Sequence, residues 1–376
     1  MALRPTANFV SPLGMSLTDD QRSAAKALQE LWNTGSRNQA SVFSDFLAVR
    51  SRSSYSAALD ELNPESIQAV LHGRTADARA GLTRANSCPA FVGTGTLQQE
   101  GDCVWGRVAA GHSAMFATPD DGAFKQSSLS YQSGMQTEFV PNWFFGLSGA
   151  YTRADLRDAD KVTGSKTDAA DVALALKHQA GPWLFAVSTN LGYAWSNNLR
   201  SIDIGGSNWR ALSKSEVFTA AGRLRASYQF LFDGWYIRPS AELGLLYTHN
   251  PAYSETGAQA LNLDVRELNK TMIAFSPNVE IGGRIDIDHE RWIRTYGKFG
   301  LTKFSDDHFM SRASFQASGG LGVFSTVSRI PDLVGDAGLG LQARLGSGLE
   351  LVGEYQAQIG DRYLSHTGSV RLQARF

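Results

Sequence analysis

From about residue 102 to the end of the chain, residues alternate with a period of two, and one side of the alternation is apolar while the other carries ions. Successive side chains on a strand point to opposite faces, so this pattern is one of strands with two chemically distinct faces. In the last segment, Val370, Leu372, Ala374 and Phe376 share one face, and Ser369, Arg371, Gln373 and Arg375 share the other. In GRLRASYQFLF, Leu224, Ala226, Tyr228, Phe230 and Phe232 oppose Arg223, Arg225, Ser227 and Gln229. YIRPSAELGLLY sets Ile237, Leu243 and Leu245 against Arg238, Ser240 and Glu242, and SPNVEIGGRIDI sets Val279, Ile281 and Ile285 against Asn278, Glu280 and Arg284. A strand of a soluble sandwich also alternates, but it does not sustain long strands with charge gathered on one side. Lipid outside and water inside produce that arrangement.

Strand parity leaves inside and outside interchangeable; turn lengths decide. Short turns fall at Pro141-Asn142, Gly181-Pro182, Asp233-Gly234, around Asp288-His289, and at Gly346-Ser347-Gly348. Longer polar stretches, 114–126, 157–166, 201–214, 250–262 and roughly 306–334, lie between them, and the connection near Gly360-Asp361 is a short exception. Outer-membrane barrels keep short turns in the periplasm and long loops outside. Trp143, Trp183, Trp235 and Trp292 each follow a short turn, which makes them candidates for an aromatic girdle at headgroup level. The predicted fold is all-β: an antiparallel transmembrane β-barrel of about twelve strands over residues 101–376, with a preceding α-helical segment.

That segment, residues 17–100, has helical rather than strand periodicity. Thr18 and Gln21 form a capping box ahead of TDDQRSAAKALQELW, and Gly35 ends that helix. SVFSDFLAV and YSAALDEL follow as short helices. Asn63 and Pro64 open a fourth helix, which runs to about residue 85 despite Gly73 and Gly81. Residues 65–85 would make a helix about 30 Å long, close to the hydrocarbon thickness. Arg74, Arg79 and Arg84 point around this helix instead of along one side, which suits enclosure in a polar lumen, with Glu242, Glu280, Glu350 or Glu354 as partners. The more apolar first half favours the alternative, a bundle of all four helices outside the pore. Residues 1–16 read as a disordered or engineered lead. They contain no apolar core of a signal peptide, so a fragment is expected. Cys88 and Cys103 are a candidate disulfide in an oxidising periplasm; otherwise they are two unrelated buried thiols.

The stretch GLGLQARLGSGLELVGEYQAQIGDRYLSHTGSVRLQARF resembles the final three strands of the autotransporter β-domain, the translocator of type V secretion. YSAALDELNPESIQAVLHG resembles the segment that joins passenger to barrel in that family. The resemblance covers roughly 102–376. It implies an outer-membrane translocator that anchors an N-terminal passenger, here absent, and supports its export. It also implies that Val370, Leu372 and Phe376 belong to a terminal signal for the β-barrel assembly machinery. The implied partners are outer-membrane lipid, that machinery and the chain's own passenger segment, with a monomeric barrel. There are departures: the chain has no β-helical passenger repeats and no protease or esterase motif, and its one Asn-Asn pair, Asn197-Asn198, falls in the barrel region, so self-cleavage is not carried over.

The lumen would be lined by Arg223, Arg225, Glu242, Glu280, Arg284, Glu350, Glu354 and Arg371, which would solvate a threaded segment. Neither a catalytic site nor a cofactor or metal site is expected. Asp306, Asp307 and His308, and Asp288, His289 and Glu290, read as solvated loops, and the seven histidines lack metal-ligand spacing. A net charge of −1 gives no sign of nucleic-acid binding. The competing readings are a passive channel, which has no need of the N-terminal helices, and a barrel hydrolase, which would depend on His308.

Overall fold

The computed structural model describes residues 6–10, 12–35, 39–84, 88–91, 93, 95–118, 122–158, 163–288, 290–346 and 348–376. His289 and Ser347, named above in short turns, lie outside the described residues. Twelve antiparallel strands form a closed ring: β1 Cys103–Met115, β2 Phe124–Val140, β3 Trp143–Asp158, β4 Gly164–Ala180, β5 Trp183–Ile204, β6 Ser207–Tyr228, β7 Trp235–Asn250, β8 Leu268–Asp286, β9 Trp292–Phe304, β10 Leu333–Gly346, β11 Leu349–Gly360 and β12 Tyr363–Arg375. The ring closes where β12 pairs with β1, from Cys103 opposite Arg375 to Met115 opposite Tyr363. Closure pairs both edges of the sheet, which the hydrocarbon interior requires because it offers backbone groups no other partner.

The alternation sorts as the sequence predicts. Leu191, Leu224, Leu245, Ile285 and Val370 stand exposed on the outer wall, while Asp171, Lys177, Glu280 and Glu350 are buried inward. A soluble monomer rarely leaves so continuous an apolar surface uncovered. Inside, the rings of Trp105, Tyr236 and Tyr296 lie over Gly134, Gly282 and Gly340 of neighbouring strands, where any Cβ would collide with them.

Three of the expected long loops contain folded structure. Residues 201–214 are the far ends of the two longest strands, β5 and β6, which continue beyond their neighbours and reverse at Gly205-Gly206, both at positive φ. Residues 250–262 and 306–334 contribute to a separate four-stranded sheet of Tyr253–Ser254, Leu263–Val265, His308–Phe315 and Phe324–Arg329. Residues 263–267 lie outside barrel strand β8, because Leu263–Val265 pairs with Ala313–Phe315.

Four helices precede the barrel: α1 Asp19–Thr34, α2 Ala40–Ala48, α3 Arg52–Asp60 and α4 Glu65–Arg84. The Thr18 capping box and the left-handed Gly35 stop of α1 are both present. α1 to α3 pack on the small sheet and on the β5–β6 tip, burying Leu28, Leu31, Phe43, Phe46 and Leu59 against Ile202, Ile204, Leu263, Phe315 and Phe324. This cap sits at the long-connection end. Part of the lead read as disordered belongs to it: Phe9 is buried beside Trp32, Phe43 and Phe46, and its carbonyl accepts from the Tyr55 hydroxyl at 2.6 Å. The lumen reading for residues 65–85 agrees with this arrangement, and the bundle of all four helices outside the pore does not form. Three lie outside the pore and the fourth enters it.

Candidate functional site

The site is the lumen and the helix that threads it. The apolar first half of α4 does not need an external bundle, because the barrel mouth supplies an apolar collar. Ile67, Val70 and Leu71 are buried among Val217, Leu246, Met272, Phe304 and Phe309. One turn on, His72 pairs through Nε2 with the Ser328 hydroxyl at 3.1 Å, and its ring lies against Phe124 and Phe309.

Below the collar the contacts become ionic. The Arg74 side chain is 2% exposed and donates through Nη2 to Asp171 of β4 at 3.0 Å. Its Nη1 reaches Asp77 at 3.1 Å, and Asn190 donates to the same Asp171 carboxylate at 3.2 Å. Gly192 leaves the notch that holds the guanidinium, since a Cβ there would meet both Arg74 and Asp171. Gly73 and Gly81, unfavourable in a free helix, are explained in the same way: Cβ atoms would strike Gln126 and Asn190 of the wall. Arg79 donates to Thr302 at 2.8 Å and lies over the Phe304 ring. At the C-terminal end, Arg223 donates to the Leu82 carbonyl at 2.6 Å, placing a cation at the negative end of the helix dipole.

Beyond α4 the chain folds against the inner wall at the short-turn mouth. Cys88 and Cys103 are joined, their Cα atoms 6.2 Å apart, tying the segment after the helix to the start of β1. Pro89–Phe91 and Gln98–Glu100 form a small hairpin. Glu100 is held by Lys177 at 2.7 Å and by Gln136 at 2.9 Å, all three buried. Arg375 donates to the carbonyls of Cys88 and Pro89, and Arg284 to those of Gly93 and Gly95. The polypeptide thus runs from the cap, down the lumen, to the opposite mouth, and there enters the barrel wall.

The residues named from sequence can now be placed. Trp143, Trp183 and Trp235 stand on the outer wall beside the short turns. Trp292 does not: it is 4% exposed, faces the lumen and packs edge-on against Phe91 at 4.9 Å. Its own strand shows the reason, because Trp292 shares parity with Arg294, Tyr296 and Lys298, while Ile293 and Phe299 take the outer face. Val370, Leu372 and Phe376 are exposed on the outside.

The expected lumen residues face inward, and each of the four glutamates pairs with a cation of the wall. Glu242 accepts from Arg223 at 2.9 Å and is 3.5 Å from Arg225. Glu280 lies 2.8 Å from Arg238 and 2.5 Å from Arg294. Glu350 pairs with Arg375 at 2.6 Å, and Glu354 with Arg107 at 3.4 Å and Lys298 at 3.3 Å. Arg284 also pairs with Asp286 at 2.7 Å, and Arg371 sits opposite Arg107 in the wall.

Sequence reasoning did not assign Asp171, Lys177, Arg294 and Arg375 to the lumen, although ADVALALK places Asp171 and Lys177 on the face opposite Val172, Leu174 and Leu176, and Arg375 lies on the polar face of the last strand. Asp306, Asp307 and His308 cluster on the outside near Lys270. Asp288 caps a turn: Arg291 and the backbone N–H groups of Arg291 and Glu290 hold its carboxyl down at about 2. Asn198 faces inward and donates to Ser215 at 2.9 Å, as ordinary wall structure.

A closed twelve-stranded barrel with an apolar exterior, a charged lumen and a helix inside it defines a membrane-embedded translocator of the outer-membrane type. The sequence model of the Autotransporter beta-domain family matches residues 104–356, and the chain belongs to that family. Its fold is similar to the translocator domain of autotransporter NalP from Neisseria meningitidis, with a TM-score of 0.63 at 14% identity over 82% of this chain and 96% of that one. It is also similar to the beta domain of the Bordetella autotransporter Brka, with a TM-score of 0.55 at 19% identity over 74% of this chain and all of that one. No curated protein matches the sequence. Translocator domains are transporters, not enzymes.

Proposed function

We propose that this translocator resides in the bacterial outer membrane with its short turns in the periplasm, and that its cargo is the polypeptide on the N-terminal side of its own barrel. One observation carries the reading. The chain passes through the lumen as α4, with α1 to α3 on the long-connection side and the barrel's first and last residues on the other. Lipid covers the outer wall, and the exposed stripe of Val370, Leu372 and Phe376 is the surface offered to the β-barrel assembly machinery. With every neighbouring strand paired, one copy suffices as a barrel. The wall supplies charge and hydrogen bonds to the threaded segment, and no residue carries out covalent chemistry.

Cysteine labelling in intact cells tests the topology. Lys26→Cys, on the exposed side of α1, should react with a membrane-impermeant maleimide, whereas Asp233→Cys, in a short turn, should react only after the outer membrane is opened. The opposite pattern would overturn the proposal.

A further inference from the structure

α4 does not stand on the barrel axis. It leans on β4, β5 and β6, where Arg74, Gly81 and Arg223 make their contacts. The other side of the lumen keeps a cavity of about 380 Å³, bounded by α4 and by inward side chains of β1, β2 and β6 to β12. Of the charged side chains lining it, seven are Arg or Lys and four are Asp or Glu. The pairing amplifies this imbalance, because the wall carboxylates are shared. Glu242 serves both Arg223 and Arg225. Glu280 serves Arg238 and Arg294 and lies 3.7 Å from Lys298, which also reaches Glu354, itself paired with Arg107. Two or three cations to one carboxylate leave net positive charge facing the water. Lys298 keeps 41% of its side chain exposed there. Between low-dielectric walls such a charge raises the local concentration of anions and depletes cations, and rings of Arg and Lys are the means by which pores select anions.

We propose that the space beside α4 is a water-filled path that passes small inorganic anions, such as chloride, in preference to cations while the helix stays in place. The path is a property of the threaded state and therefore rests on the lumen reading above. The test uses the purified full-length chain in planar bilayers of neutral lipid, across a tenfold gradient of potassium chloride. The expected result is a reversal potential corresponding to a chloride-to-potassium permeability ratio of roughly three or more. Lys298→Glu should bring the ratio to about one or below, and Arg225→Gln should lower it without inverting it. Lys26→Glu, the same charge reversal as at Lys298 but on the cap, should leave it unchanged. The proposal is overturned if the full chain passes no current, if it favours potassium, or if its ratio is indifferent to Lys298→Glu. Surface labelling at Lys26 does not depend on ion passage, so failure here with normal labelling would refute the anion path alone.

Discussion

The two ends of the barrel are built by different means. At the short-turn end each reversal is local: Asn142, Gly181 and Gly234 adopt positive φ between neighbouring strands, and the turn follows from a few adjacent residues. At the other end the connections fold with one another and with the three helices that open the chain. Ile204, Leu263, Phe315 and Phe324 come from distant segments and share one apolar core with α1 to α3. One end therefore closes the membrane wall, while the other is a small folded body held above it, and α4 links the two through the lumen.

The largest expected effect lies in the terminal strand, whose edge completes the ring at the short-turn end. Leu372→Lys combined with deletion of Phe376 should abolish nearly all heat-modifiable barrel. A lysine on the lipid face costs about 2–4 kcal/mol at mid-membrane, and the exposed terminal aromatic is lost as well. Normal yield of folded barrel on semi-native gels would count against the role given to β12.

The next effect lies between the ends. Asp171→Leu leaves the buried Arg74 with Asp77 and the Thr219 hydroxyl, and breaking such a pair costs about 3–5 kcal/mol. Adding Arg74→Met should recover most of the loss, because the buried charge then goes too. A melting temperature that falls equally in the single and double variants would show that this pair does not hold the plug.

A smaller loss is expected from Cys88→Ser, which frees the segment after α4 at the short-turn end. Opening a loop of about 15 residues removes on the order of 3 kcal/mol. The loss should match that caused by reductant in the native chain, and reductant should have no further effect on the variant. An additional drop on reduction would contradict this assignment, because Cys103 is then the single cysteine left in the chain.

The smallest effect belongs to the cap. Burial raises the Asp60 carboxyl to about 6, against the opposing hydrogen bond from Gln21. The folded cap therefore holds its proton more tightly than the unfolded chain does. This contribution is fully present below about pH 4, is lost as pH rises toward 6 and is constant above that. It amounts to about 1–2 kcal/mol once solvent screening is allowed for. Hydrogen exchange in α1 and α3 should be slower at pH 4.5 than at pH 7 after correction for intrinsic rates, and Asp60→Asn should remove most of that difference. An unchanged pH profile in the variant would assign the effect to another group.

The contrast between the ends also explains what could be read from the sequence. The strands were legible because lipid on one side and water on the other write the same alternation many times over. Their ends were legible where a turn is local. The cap was not, because 250–262 and 306–334 were read as loops by overall polarity, although Phe309, Ala313 and Phe315 alternate within them. A strand that pairs only with another loop leaves no mark of its partner. The inward side of Trp292 was recorded in its strand's parity and was outweighed by its position after a turn. The charge partners were least legible. Arg74 was expected to meet a glutamate, but the wall arginines occupy Glu242, Glu280, Glu350 and Glu354, and which acid remains for the helix depends on the angle at which α4 leans.

That the chain threads its own barrel is tested most directly by joining α4 to the wall. Gly81→Cys with Asn190→Cys places two thiols where the helix and β5 are in contact. Oxidation of the folded barrel should link them in high yield, seen as a mobility shift on non-reducing denaturing gels beyond that of the native disulfide. Gly81→Cys with Ser133→Cys, on the exterior of β2, should not link. Failure of the first pair in a barrel that remains folded and heat-modifiable would mean that α4 does not occupy the lumen.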